Sequence, residues 1–414
     1  MSGPRLTARF RSWLSSSSTL AAFRLPGYPA MWLSGASGAF AWSSNLVAVG
    51  WITLEVSGSS LAVGATFAAR LAPALIVGIP IGALVDRLDR RRVLIAGNLA
   101  GIATALLLAG LAAAGRLDLP LILVLSLGLG MLDTLRGTAS QSYAFDLAGP
   151  SGATNAIALS NLGGQLLGSV GSIAGGLVLQ HVGSAAAFGM AAIPAAIAAT
   201  SLALSSGHAA RTRAATRLSP SASRSTTLLF RNRLVALITL VVILGEVLGF
   251  SSITLRPAFA RDILHVDAAG LGAMNAAGAI GGVAGLLLLA RVGISGRAGI
   301  LLLGATAGFG LCLVAFSFST IYLVSLVLLM GVGLTASALD TLGQALIQRS
   351  VGDHERGAAM GTWFFAIGFG PFGHIGIGAA AAVIGVPLAL GLSGGGLLVA
   401  ALALTTVRQL RELK

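Results

Sequence analysis

The sequence predicts an all-helical integral membrane protein of twelve spanning helices, laid out as two related sets of six. Three observations carry this. Mean hydropathy is +0.91, and 56% of residues are apolar against 9% charged, more apolar surface than a water-soluble globule hides. Long apolar runs recur along the chain with short polar connections between them. A polar tetrad also returns at the equivalent place in each half of the chain. Lipid offers backbone amides no partners, so a span is a helix or part of a closed barrel, and a helix needs roughly 20 apolar residues to cross. The runs have helical length.

Residues 1–27 carry Arg5, Arg9, Arg11 and Arg24 and the serines Ser15 to Ser18, with no small-residue cleavage site. They read as a cytoplasmic tail and not as a signal peptide. Apolar stretches follow at 28–55, 61–85, 93–114, 120–143, 156–180 and 184–206, then at 233–256, 268–291, 298–316, 321–346, 358–382 and 387–407. They divide into a bundle at 28–206 and a bundle at 233–407, separated by residues 207–232, with a short tail at 408–414. The separating segment is rich in Ser, Thr and Arg and includes Arg211, Arg213, Arg217 and Arg224, the composition of a polar linker.

The net charge of +13 does not point to nucleic acid, because the basic residues lie in short connections and not on a soluble domain. Placing both termini and the linker in the cytoplasm puts Arg87, Arg90, Arg91, Arg92, Arg291, Arg297, Arg349, Arg356, Arg408, Arg411 and Lys414 inside. It leaves only Arg116, Arg256 and Arg261 in outside connections. That is the asymmetry expected when basic loops resist translocation across a bacterial inner membrane. Cys312 is the single cysteine, so the chain forms no internal disulfide and no cysteine metal cluster; it reads as a small packing residue.

Leu132, Asp133, Thr134 and Leu135 recur as Leu339, Asp340, Thr341 and Leu342, an offset of 207 residues. At the same offset Gln141 meets Gln348, Arg90 meets Arg297, Gly97 meets Gly304 and Gly101 meets Gly308. An internal repeat of six helices is the layout of transporters whose site lies between the halves near mid-bilayer.

After the second helix come Gly78, Gly82, Asp86 and Arg87, then Asp89, Arg90, Arg91 and Arg92. A plain basic loop explains the arginines but not the glycine and acid at this spacing. The stretch resembles the signature between helices 2 and 3 of the major facilitator superfamily. Further stretches are similar to the subgroup holding the enterobactin exporter and macrolide efflux proteins: Glu55 to Gly64, Asp133 with Arg136 and Gly137, Arg256 to Asp262, and Glu355 to Gly357 with Gly370, Pro371 and Gly373. The resemblance implies a secondary transporter working by alternating access, with helices 1, 4, 7 and 10 lining the cavity and Asp86 latching a cytoplasmic gate. It also implies export of a hydrophobic or amphiphilic small molecule, drug-like or siderophore-like, in exchange for protons, by a monomer. Two departures weigh against the antiporter part. The helix 5 run Gly168, Gly171, Ser172, Gly175 and Gly176 has Ser172 where proline is expected, and helix 1 offers Ala41 and Trp42 where an acid often stands. An uptake permease, a lipid transporter and a non-transporting membrane sensor or assembly partner are the rivals.

Ionisable side chains inside spans cost about 2.5–3.5 kcal/mol on insertion scales and face a cavity or a partner. Arg70, Asp133, Glu246 and Asp340 meet that description. Glu246 and Asp133 are the leading proton-coupling candidates, with Arg70 or Arg136 as charge partner, against the alternative of a static ion pair that locks the bundle. Asp340 shares a helix face with Gln344 and Gln348, which suits gating and substrate contact equally. Trp42, with Asn45 one turn on, is a candidate for stacking a flat substrate; Trp32 reads as an interfacial aromatic. His374, a side chain whose ordinary titration falls near neutrality, reads rather as a helix-packing hydrogen bonder beside Gly373 and Gly376, and Asn161, Gln165 and Asn275 as interhelical hydrogen bonders first and substrate contacts second. No residue pattern binds a metal, cofactor or nucleotide, so the chain reads as a non-enzyme with a small-molecule substrate, protons and lipid as its partners.

Overall fold

The computed structural model describes residues 22–205, 222–292, 297–352, 355–411 and 413. Most of the expected tail and linker therefore lies outside the described residues, as do Arg5, Arg9, Arg11, Arg211, Arg213, Arg217 and Lys414. Every regular element among the described residues is helical. The spanning helices are α1 Tyr28–Ser57, α2 Ser60–Arg87, α3 Arg90–Ala113, α4 Leu119–Gly149, α5 Asn155–His181 and α6 Ser184–Leu204. After a short helix, Ala222–Arg231, come α7 Arg233–Ile263, α8 Ala268–Val292, α9 Ala298–Ser317, α10 Tyr322–Arg349, α11 Ala358–Ile384 and α12 Val386–Leu404.

Polar residues at the connections start the helices. Asp89 accepts from the Arg92 amide, Asp118 from Leu121 and Asn232 from Leu234 and Val235, each satisfying orphan N–H groups of a first turn. Gly149, at φ 67, breaks what would otherwise be one continuous helix into α4 and α5, a conformation that costs glycine little.

Among the described residues eleven helices are long and apolar enough to span a membrane. The exception is α1, at 30 residues, whose hydropathy is diluted by Ser34, Ser37, Ser43, Ser44 and Asn45. It is enclosed by other helices, where small polar side chains permit close approach. The larger correction concerns α7, expected to end at 256. It deforms instead of ending, through a π-turn at Gly245–Gly249, a 3-10 stretch at Phe250–Leu255 and a second π-turn at Phe259–Ile263. Arg256 is consequently buried inside the span, not in an outside connection. Trp32 also ties helices together: its indole donates to the Leu159 carbonyl at 2.9 Å and its ring covers Gly163, so it packs α1 on α5.

Glycines set the helix spacing. A Cβ on Gly171 would lie 2.4 Å from the Phe40 carbonyl oxygen, and one on Gly175 would lie 2.8 Å from Ser44 Oγ, so the helix 5 run seats α5 on α1. Gly281 and Gly285 do the same for α8 against α10, at the Met330 and Leu334 carbonyls.

The two sets of six meet along two seams. In one, α5 lies on α8, with Gly176 against Ala268 and Gly272 against Ser172; in the other, α2 lies on α11, with Gly64 against His374 and Gly378 against Ser60. These contacts gather at the end of the bundle away from the 207–232 segment, called here the far end. Val47 of α1 joins Leu255, Phe259 and Leu271 there in one apolar cluster spanning both sets. Toward the linker end the halves diverge. The first part of α11, Arg356–Ile367, packs on Ala222–Arg231, α7 and α10, whereas Gly370–Ile384 packs on α2. Gly78 and Gly82 of α2 and Gly137 of α4 would each have open space around an added Cβ. The two halves are in contact at the far end, and among the described residues those contacts thin out toward the linker end.

Because a Cβ on Gly272 would stand 2.4 Å from the Ser172 carbonyl oxygen, Gly272→Val is expected to prise the far-end seam apart. Overpacking of this kind costs about 1–3 kcal/mol, and each 1.4 kcal/mol is about tenfold in a conformational equilibrium. Spin labels on Val182 and Val383, both strongly exposed at the far end on opposite halves, should show an added long-distance population. An unchanged distance distribution would contradict the closed seam.

Candidate functional site

The ionisable residues expected in the spans fall into two centres, one on each half. In the first half, Arg70 of α2 donates through Nη2 and Nε to Asp133 Oδ2 of α4 at 3.0 and 3.2 Å. Its guanidinium carbon stands 4.1 Å from the centroid of the Trp42 ring on α1, a cation–π contact. Three helices are thus tied by one side chain. The Arg70 side chain is 3% exposed and that of Asp133 27%, so the acid borders open space while the base is sealed in. Asp133 shares a helix face with exposed Gly137 and Gln141, roughly opposite Val124 and Met131, the exposed apolar residues that suit lipid.

Sequence reading left the partner of Asp133 open between Arg70 and Arg136. The structure assigns the ion pair to Arg70. Arg136 instead donates to Asn98 Oδ1 at 2.8 Å, and Asn98 donates to Ser34 Oγ at 2.8 Å, a buried polar chain from α4 through α3 to α1. Room for it comes from glycine: a Cβ on Gly97 would lie 2.7 Å from Arg136 Cγ. Asn98 and Ser34 were missed because each alone reads as ordinary packing. Asn45 is buried, with its Oδ1 lacking a partner.

In the second half, Glu246 sits in the π-turn Gly245–Gly249 of α7. Such turns inside α-helices gather at functional sites, since they redirect a side chain without ending the helix. Its carboxylate lies against Gly370 of α11, 3.5 Å from where a Cβ would stand. Asp340, the other carboxylate of this half, lies on α10. Trp363 of α11 lies beside Asp340, its buried indole N–H short of hydrogen-bond geometry. Among the described residues neither carboxylate has an ion-pair partner; the pairs present are Arg70 with Asp133, Arg90 with Asp146, Arg231 with Glu355, and Arg261 with Asp262. The repeat-related acids Asp133 and Asp340 therefore have different chemistry, one paired with a base and the other without an ion-pair partner among the described residues. Gln348, expected on a shared face with Asp340, contacts the Met360 sulfur.

At the linker end, Arg91 caps the last turn of α6 through the Leu202 and Ala203 carbonyls at 2.8 and 2.9 Å, and Arg90 pairs with Asp146. Arg87 is exposed, and the Asp86 side chain lies outside what is described. Other polar residues hold helices together: Asn275 accepts from Arg256 Nη1 at 2.8 Å, and Gln165 lies near Gly282 across the α5–α8 seam. Ser172, in the proline's expected place, is buried, and its carbonyl oxygen would stand 2.4 Å from a Cβ on Gly272.

The described helices form two half-bundles that meet along the α5–α8 and α2–α11 seams. The family model described as transmembrane secretion effector matches residues 17–414. The chain belongs to this family of the major facilitator superfamily. No curated protein matches the sequence. Among solved structures, a mutant of the nucleoside transporter NupG superimposes with a TM-score of 0.74 at 15% identity, covering 92% of this chain and 100% of its own. A bacterial homologue of the human lysosomal transporter Spinster, described as inward-facing and unoccupied, gives 0.71 at 15% identity, with 94% and 97% covered. The xylose transporter XylE from E. coli, described as inward open, gives 0.66 at 13% identity, with 93% and 98% covered. At these identities the likeness establishes the major facilitator fold. The secretion effector family and its structural neighbours point to transport and not to catalysis.

Proposed function

We propose that this protein is a proton-coupled exporter of a hydrophobic or amphiphilic small molecule, drug-like or siderophore-like, acting by alternating access. The observation that carries the reading is that Glu246, placed by the π-turn of α7 against Gly370, and Asp340 of α10 are carboxylates inside the spans with no ion-pair partner among the described residues. Carboxylates so placed in a low-dielectric setting resist holding their charge, which makes a proton or a cation the natural occupant. The family description, transmembrane secretion effector, supports export over uptake.

In this reading the units that rock are residues 28–206 and 233–407, joined by a cytoplasmic linker at 207–232, in a monomer of the bacterial inner membrane with both termini inside. The linker end is then the cytoplasmic mouth. Asp86, with Gly82 and the neighbouring arginines, latches that mouth in the opposite state. Arg70 and Asp133 brace the first half while Glu246 and Asp340 exchange the proton.

The test is transport in proteoliposomes with a fluorescent amphiphile, rhodamine 6G, and an imposed pH gradient. Dye movement should follow the gradient and stop when a protonophore collapses it. Dye flux indifferent to the gradient would remove proton coupling; dye binding without flux would favour a sensor.

A further inference from the structure

The far-end seam holds a titratable side chain that the ion-pair centres do not use. His374 of α11 is 5% exposed and lies where the two halves meet. Its Nδ1 is 2.6 Å from Thr254 Oγ1 of α7, which fixes the ring plane. Phe67, on α2 of the other half, meets the imidazole edge-to-face, with centroids 5.9 Å apart and planes at 89°. The backbone beneath is locked too, since a Cβ on Gly64 of α2 would stand 2.3 Å from the His374 carbonyl oxygen. Ring and backbone of His374 are thus both packed against the other half.

We propose that His374 is a proton-operated catch on the far-end gate: neutral, it seals the seam against Phe67, and taking up a proton from the outside water releases it. One proton adds to whichever ring nitrogen the Thr254 bond leaves unprotonated, and no other covalent bond changes. A cation enclosed between Phe67, Gly64 and the backbone of α11 carries an unpaid desolvation cost of several kcal/mol. Separation of the halves admits water and removes that cost, so charge on the ring favours the open seam.

The charged groups on the elements packed around it offer no immediate counter-ion. They are Arg70, Asp86 and Arg87 on α2, Arg233, Glu246, Arg256, Arg261 and Asp262 on α7, and Glu55 on α1; α12 carries none, and α11 carries, besides the histidine, only Arg356 at its linker-end start. Glu246 has its carboxylate at Gly370, one turn inward along α11; Arg70 lies one turn along α2 from Phe67 and is held by Asp133; Arg256, two residues beyond Thr254, is bonded to Asn275. This order, histidine in the gate and carboxylate one turn further in, suits a proton that first opens the seam and then reaches Glu246. In that last respect the inference rests on the proton-coupled reading, but the catch itself is tested without substrate or flux.

The experiment measures the distance between spin labels at Val182→Cys and Val383→Cys, in a Cys312→Ser background reconstituted in nanodiscs, at about pH 8 and about pH 5, the span over which histidine changes charge. The parent should gain a longer-distance population on acidification. His374→Gln, which keeps a polar group for Thr254, should remain closed at both values, and Glu246→Gln should still open. No widening in the parent, or widening of His374→Gln equal to the parent's, overturns the catch. Widening lost in Glu246→Gln but kept in His374→Gln would also overturn it, while leaving Glu246 as the proton site. If His374→Gln does not fold, Thr254→Val replaces it: loss of the ring's anchor should raise the open fraction already at the higher pH, and an unaltered distribution counts against the proposal.

Discussion

Glu246→Gln is expected to abolish gradient-driven export while leaving the protein folded. The substitution keeps the size of the side chain in the π-turn Gly245–Gly249 and against Gly370, so the packing of α7 on α11 is undisturbed. What it removes is the proton-binding group. If the acid pair carries the coupling proton, net movement of dye against its gradient should fall by about tenfold or more, since each 1.4 kcal/mol of lost driving interaction is worth about that factor. Exchange of labelled for unlabelled dye across the membrane, which needs no net proton movement, should persist. Loss of both net transport and exchange would assign Glu246 to substrate binding instead. Asp340→Asn should behave alike, and the double variant should add little, because the two carboxylates act on one proton.

Arg70→Ala is expected to give the largest loss of stability in the molecule. Removing one member of a buried ion pair strands the other and typically costs about 3–5 kcal/mol. Here the same guanidinium also covers the Trp42 ring and reaches α4 from α2, so three helices lose a common tie. The midpoint of thermal unfolding in detergent should drop clearly. Asp133→Ala should do nearly the same, since it leaves a guanidinium in a sealed site; the double Arg70→Ala, Asp133→Ala variant should be less damaged than the two single losses added together. Strictly additive losses would show that the pair does not act as a unit. The contrast with Glu246 is the useful part: one ionisable centre should govern stability and the other coupling.

The fold was legible because its signals are extended. Twelve apolar runs, an offset repeat and the asymmetry of the arginines each average over many residues, and lipid permits few architectures for such a chain. The boundary at 256 failed because hydropathy reads a basic residue followed by proline as the end of a span. It does not register a helix that deforms through π and 3-10 turns and buries the arginine. The acids and bases of the spans were also visible, since each is costly in lipid. Their pairing was not. Arg70 and Asp133 are 63 residues apart in sequence, whereas Arg136 is one turn from Asp133 on the same helix, so proximity along the chain favoured a partner that packing sends to Asn98 instead. The repeat hid a difference in the same way. Asp133 and Asp340 share their sequence neighbours, yet the residue that neutralises the first, Arg70, is matched at the 207-residue offset by Ala277.

The protonation of the Glu246–Asp340 pair is open to direct measurement. Infrared difference spectra of the purified protein, recorded as pH is varied, should contain a carboxylic acid carbonyl band that titrates. The band should be lost in Glu246→Gln and shifted in Asp340→Asn, but retained in Asp133→Asn. A spectrum with no such band, or one removed only by Asp133→Asn, would place the exchangeable proton elsewhere and contradict the account.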